Sequence, residues 1–497
     1  MNTMLNTMTE EANYKLTENC GVALRSTLSA VYDLFALCGA YRERSDEDCI
    51  FMFKKAFEED RELALKCLFY LADCRGGQGE RRFFRVCYNW LAYNYPCIAR
   101  NNLELIPIYR RWDDVIYSCV GTPIEIDALE FIKKQLILDL QCKTPSLLAK
   151  WLPSENASSE ITKRMGSIVR SYFGMTHKEY RLVLSHLRSR INIVEKLMSE
   201  NRWDEIEYDK IPSKAGLIYK NAFAKHDIEK RYEEFAKDKN TKVNADVLYP
   251  YEVVAKAIAG HDYWSDRCTL SDTDRAMIEK YWNALPDYFD DKQSDILCVV
   301  DTSGSMDTRT GAAAPINVAI SLGMYAAERA GGPFKDYYIS FSREPRLIHI
   351  EGIDFVDKVA RIYQTNLCEN TNLTGVFDML LKIANREDVK ESDIPSTIVV
   401  ISDMEIDYMT TDSDWGKNTQ TEMEKVRSKW EKHGHKMPRL VYWNVCARNN
   451  TILDRGPGVT FVSGMSPVIF EQIITGKDGF DLMISTLESE RYSAITV

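Results

Sequence analysis

Long apolar runs are missing from this chain. Stretches such as DILCVV at 295–300 end far short of the ~18–20 residues a membrane span needs, so no membrane-spanning helix is expected. The opening residues, MNTMLNTMTEEANYK, lack the basic and apolar regions of a secretory signal, and none is expected. Histidine is scarce, and the seven present form no H-x-x-x-H pair. The thirteen cysteines include no C-x-x-C, the closest pair standing seven apart, which removes zinc-ligand spacing. An odd, scattered set inside apolar patterns reads as buried free thiols in a reducing, cytoplasmic compartment. Nor is there an excess of basic residues: 63 Lys and Arg stand against 74 Asp and Glu, a net charge of −11. Bulk charge draws no nucleic acid to such a chain, so any polyanion site has to be a local patch.

What is present is ordinary globular composition over 497 residues, 45% hydrophobic and 28% charged, enough for two to four domains. Residues 1–16 are polar and rich in Met, Thr and Asn, and are expected to form a flexible tail. From 17 to about 290 the pattern is helical. Residues 62–74, 83–95, 125–141 and 180–200 carry apolar side chains at three- and four-residue intervals, separated by short breakers. Stacked helical hairpins, as a solenoid or bundle, are expected, although no repeat of fixed period is visible.

After 290 the rhythm changes. Apolar strands at 295–301, 337–342, 347–352, 396–402, 439–445 and 459–464 alternate with helices near 313–330, 373–384, 418–432 and from about 466. This predicts a doubly wound α/β domain over 291–497 with a mostly parallel sheet. LIHIEG follows YYISFS too closely for a helical crossover and is expected as an antiparallel edge strand. The boundary is placed in the polar stretch DYFDDKQSD, 287–295.

The most informative segment is DTSGSM, directly after the first of these strands. Its Asp301, Ser303 and Ser305 put one carboxylate and two hydroxyls on a loop at the strand's C-terminal end. Thr371, in the ENTN loop, and Asp403, ending STIVVISD, fall on later loops at the same sheet edge. All five are hard oxygen ligands suited to Mg²⁺ or another divalent cation, with room for water and an outside ligand. Catalytic alternatives fit less well. There is no G-x-S-x-G elbow, no G-x-x-x-x-G-K-[ST] loop, and no identifiable base beside either serine, so an enzyme is not expected.

This set resembles the metal-ion-dependent adhesion site of von Willebrand factor A domains over roughly 294–475. The resemblance implies that the serines and the threonine bind the metal directly while the aspartates often act through water. Two strings depart from that family's pattern: ENTN replaces a glycine-glycine-threonine loop, and ISDM replaces T-D-G. Neither removes a ligand.

In the helical part, RGGQGERR at 75–82 admits two readings. It is a tight turn, or a glycine-rich helix start whose amides and Arg75, Arg81 and Arg82 meet phosphate. Residues 75–111, including Arg85, hold seven basic against two acidic residues; residues 143–202 hold eleven against five. The second stretch interleaves Arg170, Lys178, Arg181, Arg188 and Arg190 with Tyr172 and Phe173, a mix that suits phosphate contact with base stacking. The alternative is a set of solvated helix faces.

A helical module followed by an adhesion-type domain also resembles the Ro autoantigen family, whose helical TROVE module binds small noncoding RNAs. The strings TENCG (17–21), DCRGGQGERRFFR (73–85), PIYRRWDDVI (107–116), AKWLPS (149–154), YRLVLSHLRSRINIVEKLM (180–198), DKIPSKAG (209–216) and DTSGSM resemble a further family, an uncharacterised domain of helical-plus-von-Willebrand type. Together these imply a non-enzymatic, Mg²⁺-dependent binding protein. The first expectation is a Ro-like scaffold for structured or single-stranded RNA whose α/β domain takes an acidic protein ligand at the metal. The alternative is a metal-dependent protein–protein adaptor or assembly factor without RNA.

Overall fold

The computed structural model describes residues 3–191, 193–227, 229–262, 267–290, 294–307, 313–341, 344–364, 372–406 and 421–497. The chain forms two compact units: residues 1–44 with 236–487, and residues 45–235 with 488–497. Compactness thus draws a different line from the change of composition at 290.

The first unit is built on six strands: β1 Ile296–Asp301, β2 Tyr337–Phe341, β3 Arg346–His349, β4 Thr397–Ser402, β5 Arg439–Asn444 and β6 Val459–Ser463. β1 and β4 are buried at every position, which is why both are apolar almost throughout instead of alternating with polar residues. The order is β6-β5-β4-β1-β2-β3, parallel throughout except between β2 and β3. β3 is the largely exposed antiparallel edge that the short connection requires. The chain runs outward from β1 to β3, then crosses back to lay down β4 on the other side of β1. Strand order reverses between β1 and β4, and the crevice outside their carboxyl ends is where an open α/β sheet gathers ligands.

Helix Pro315–Arg329 packs on β1, and Gly323 permits it: a Cβ there would stand 2.5 Å from Val300 Cγ2. Helices Leu373–Ala384 and Glu422–Lys432 also match the expected pattern. Helix Phe355–Gln364 was not among the expected elements. Its Phe355 stacks on Trp282 of helix Asp272–Asn283, with ring centroids 4.3 Å apart, which places 236–290 with the sheet.

The first sixteen residues, expected as a flexible tail, carry helix Thr3–Asn13 and the strand Tyr14–Leu16, paired antiparallel with Val22–Leu24. Composition alone did not reveal the partner: Leu24 exchanges backbone hydrogen bonds of 2.8 and 3.0 Å with Ile452. Helix Ala30–Leu37 lies against β6, where the Phe461 amide donates to the Tyr32 hydroxyl at 3.0 Å.

The second unit is helical. Asp46–Glu59, Arg61–Ala72, Arg81–Asn94, Trp112–Cys119 and Glu125–Gln141 pack largely on their neighbours in sequence. Ser45, Asp60, Ser159 and Thr176 each cap a helix start by accepting a backbone N–H. Phe53, Phe69, Phe84 and Tyr88 fill its core. The periodic run 180–200 divides into His177–Arg190 and Val194–Ser199.

No helix among the described residues is long and apolar enough to cross a membrane. All twelve described cysteines are free. Seven are buried, and Cys20, Cys97, Cys142 and Cys268 are exposed, so the expectation of buried thiols holds for most of them.

Candidate metal centre

Asp301 ends β1 and Asp403 follows β4, and because these strands are parallel neighbours their ends lie side by side. Both carboxylates are buried, at 0% and 1% exposure. The Asp301 carboxylate accepts the Ser303 amide at 2.9 Å and the Ser402 hydroxyl at 2.5 Å. The intervening Thr302 is fixed to β2, its amide donating to the Phe341 carbonyl at 3.1 Å. The turn then brings Ser303 Oγ to 3.1 Å from Ser305 Oγ. Asp403 accepts the Glu405 amide at 3.2 Å and Arg448 Nη2 at 2.7 Å, and the Ser305 hydroxyl also donates to it.

The electrostatics are those of two carboxylates crowded in a dry place. Burial first, and then the charge of Asp403, push the Asp301 carboxyl up to about 7. Burial also raises Asp403, opposed by the Arg448 guanidinium.

The donor set fits a hard divalent cation: two carboxylates and two hydroxyls, all oxygen, at one sheet edge. Adjacent oxygens in an octahedral Mg²⁺ shell, each about 2.0–2.1 Å from the ion, lie about 3 Å apart, close to the separation of the two serine hydroxyls. Thr371 lies outside the described residues. Among the described residues no group of three or more His, Cys, Asp or Glu side chains offers a rival site. Sequence reasoning missed Ser402 and Arg448, since nothing in their spacing marks them.

The nine cations expected to meet anions are mostly committed inside the second unit. Arg81 and Arg85 both bind Asp113 and Asp114. Arg82 pairs with Asp46, and Arg170 with Glu155 at 2.8 Å. Arg188 donates to the carbonyls of Ala149 and Leu152 and to Ser154 Oγ at 2.8–3.0 Å. Arg190 donates to the carbonyls of Asp139, Leu140 and Cys142 at the end of helix Glu125–Gln141, where carbonyls lack partners. Arg75, Lys178 and Arg181 are exposed without a side-chain partner among the described residues. Lys178, Arg181, Arg188 and Lys196, with Glu155, Glu195 and Glu200, line an open cleft of about 1120 Å³ bounded by residues 154–157, helix His177–Arg190 and residues 193–200. The glycines of RGGQGE serve packing: a Cβ on Gly77 would collide with the Tyr70 carbonyl oxygen, and Gly79 holds φ +66°. The turn reading accounts for this string.

Fold and site together define a helix-rich protein with a mixed six-stranded sheet whose switch-point crevice gathers two buried carboxylates and two serine hydroxyls. The chain belongs to the family described as domain of unknown function DUF2828, whose model matches residues 17–118 and 137–294. A second such model, DUF7788, matches residues 295–491. The chain is similar to the uncharacterized protein L728 of Acanthamoeba polyphaga mimivirus, 26% identical over 512 residues that cover 94% of this chain and 86% of that one. The crystal structure of the Ro (RSR) protein of Deinococcus radiodurans covers 91% of this chain and 100% of its own at 13% identity. Its TM-score is 0.37, a likeness too coarse to carry fold or function across.

Proposed function

We propose that this is a non-enzymatic binding protein whose α/β domain holds a divalent cation, Mg²⁺ foremost, and through it takes a carboxylate from a protein partner. Asp301, Ser303, Ser305 and Asp403 would hold the ion, with Thr371 completing the set that the von Willebrand factor A resemblance implies. The observation that carries this is the buried Asp301–Asp403 pair beside two serine hydroxyls at the strand-order reversal. A bound cation would add positive charge beyond that of Arg448, which reaches Asp403 alone, and would offer an open coordination position to an acidic ligand. The mostly buried free thiols fit a reducing, intracellular setting.

The test uses the full chain and an Asp301→Ala variant as bait for native affinity capture from cell extract in MgCl₂, without crosslinking. A defined partner retained in Mg²⁺, released by EDTA and absent from the variant supports the proposal. A partner set unchanged by either treatment contradicts it.

A second reading, an RNA-binding scaffold of Ro type, is supported by the cleft that Lys178 and Arg181 line. Phosphate contacts there would make affinity fall with salt. Lys178→Glu with Arg181→Glu should abolish ultraviolet crosslinking to RNA, and an unchanged RNA yield would remove this reading.

A further inference from the structure

Residues Thr17–Gly21 form the tip of the ribbon made by Tyr14–Leu16 and Val22–Leu24. The tip is a closed turn: the Thr17 amide donates to the Gly21 carbonyl at 2.8 Å, and the Gly21 amide donates to Thr17 Oγ1 at 2.9 Å. It is seated on the loop that follows Asp403. Thr17 Oγ1 donates to the Ile406 carbonyl at 2.6 Å, the Asn19 side-chain amide to the Glu405 carbonyl at 2.8 Å, and the Glu18 amide to Glu405 Oε2 at 2.7 Å. The Glu18 carboxylate reaches across the tip to Arg448 Nη1 at 3.0 Å and accepts Asn449 Nδ2 at 2.9 Å. The other end of the same guanidinium, Nη2, holds Asp403 Oδ2 at 2.7 Å. Arg448 therefore bridges a surface carboxylate, Glu18, to the buried carboxylate of the metal centre.

A guanidinium on Asp403 and a divalent ion beside it repel each other, and both draw on the same carboxylate charge. Two features make the guanidinium the weaker claimant. Its Nε is buried with no hydrogen-bond partner among the described residues, and its charge is already shared with Glu18.

Resting on the metal reading above, we infer that Arg448 is the built-in counter-cation of the metal-free centre, and that Glu18 sets metal affinity by drawing Arg448 off Asp403. Docking of the Thr17–Gly21 tip and occupancy of the centre are then linked, each strengthening the other. The ladder makes opposite demands on two neighbouring residues. Removing Arg448 takes away a competing cation, so metal binds more tightly. Removing the Glu18 charge leaves Arg448 to Asp403 alone, so metal binds more weakly. A merely structural role for both would shift them in the same direction.

The experiment is calorimetric titration of MgCl₂ and MnCl₂ into the full chain and into Arg448→Gln and Glu18→Gln, with circular dichroism on each. The expected result is about fivefold or greater tightening in Arg448→Gln and a comparable weakening in Glu18→Gln. Hydrogen exchange of the Glu18 and Gly21 amides should slow when metal is added to the wild type. If Arg448→Gln does not fold, Glu18→Gln decides alone, because its side chain is 45% exposed and its loss leaves no buried charge behind. Wild-type binding with both variants unchanged, or shifted the same way, overturns this inference and leaves the metal reading standing. No binding by any of the three overturns the metal reading, and this inference with it.

Discussion

Asp73 and Arg491 stand 418 positions apart and form a two-pronged ion pair within the helical unit. Arg491 Nη2 donates to Asp73 Oδ1 at 2.8 Å while Nε donates to Oδ2, and the Tyr492 hydroxyl donates to Oδ2 at 3.1 Å. Asp73 is fully buried, and the last ten residues thereby close a unit whose other members lie between 45 and 235. Arg491→Ala should cost about 2–3 kcal/mol, below the ~3–5 kcal/mol of a fully buried pair because the guanidinium is 40% exposed to solvent screening. Urea unfolding followed by fluorescence measures this, and a cost under half a kilocalorie would deny the closing role.

The glycine string gives a sharper local test. Gly77→Ala places a methyl group against backbone, the Tyr70 carbonyl, which cannot swing aside, and should cost about 1–3 kcal/mol. Arg75→Ala, two residues away and exposed, should leave the melting temperature unchanged. If the string were a phosphate site, the two effects would be reversed in an RNA-retention assay, with Arg75 mattering more.

Asp114 sets an acid limit on the helical unit. Burial alone would raise its carboxyl, but the guanidinium groups of Arg110, Arg85 and Arg81 outweigh burial and hold it below the ordinary 3.8. A depressed folded-state value means that the unfolded chain takes up the proton first. The contribution is complete above about 3.8 and is lost as pH falls through the lower folded value. Asp114→Asn should cost about 3–5 kcal/mol at neutral pH by leaving three arginines short of their partner. It should also flatten stability against pH below 4, read by thermal melts across the acid range.

At the Asp301–Asp403 pair the sign is the opposite. With its folded value pushed up to about 7, Asp301 loses stability for the chain as pH rises from 3.8 toward 7. Asp301→Asn cannot ionise, so in EDTA at pH 8 it should be more stable than wild type by about 1–3 kcal/mol, the gain vanishing near pH 4. The same variant should lose the rise in melting temperature that MgCl₂ gives the wild type. A variant less stable than wild type in EDTA would contradict the crowded-carboxylate account.

Much of the fold was legible because its strands are continuous apolar runs, a signal that burial on both faces imposes; LIHIEG was legible as an edge from the short connection before it. Helix Phe355–Gln364 was missed although its buried Phe355, Val356, Val359 and Ile362 recur at helical spacing, a signal that its ten residues carried and the reading passed over. The oxygen cluster was legible as a string, since DTSGSM places Asp301, Ser303 and Ser305 within five residues. Arg448 was not, because its contact with Asp403 spans 45 positions that only the β4–β5 register brings together. The pairings of Arg81 and Arg85 were hidden for the same reason: their partners Asp113 and Asp114 lie on another helix, as does Asp46, the partner of Arg82, and sequence spacing carries no record of these pairs.

The most direct measurement is the anomalous signal of manganese in crystals grown with MnCl₂. The account predicts one strong peak per chain within coordination distance of Ser303 and Ser305, between Asp301 and Asp403, and its disappearance in Asp301→Asn. Ordered side chains at that sheet edge with no peak, at manganese concentrations that saturate ordinary oxygen sites, would contradict it.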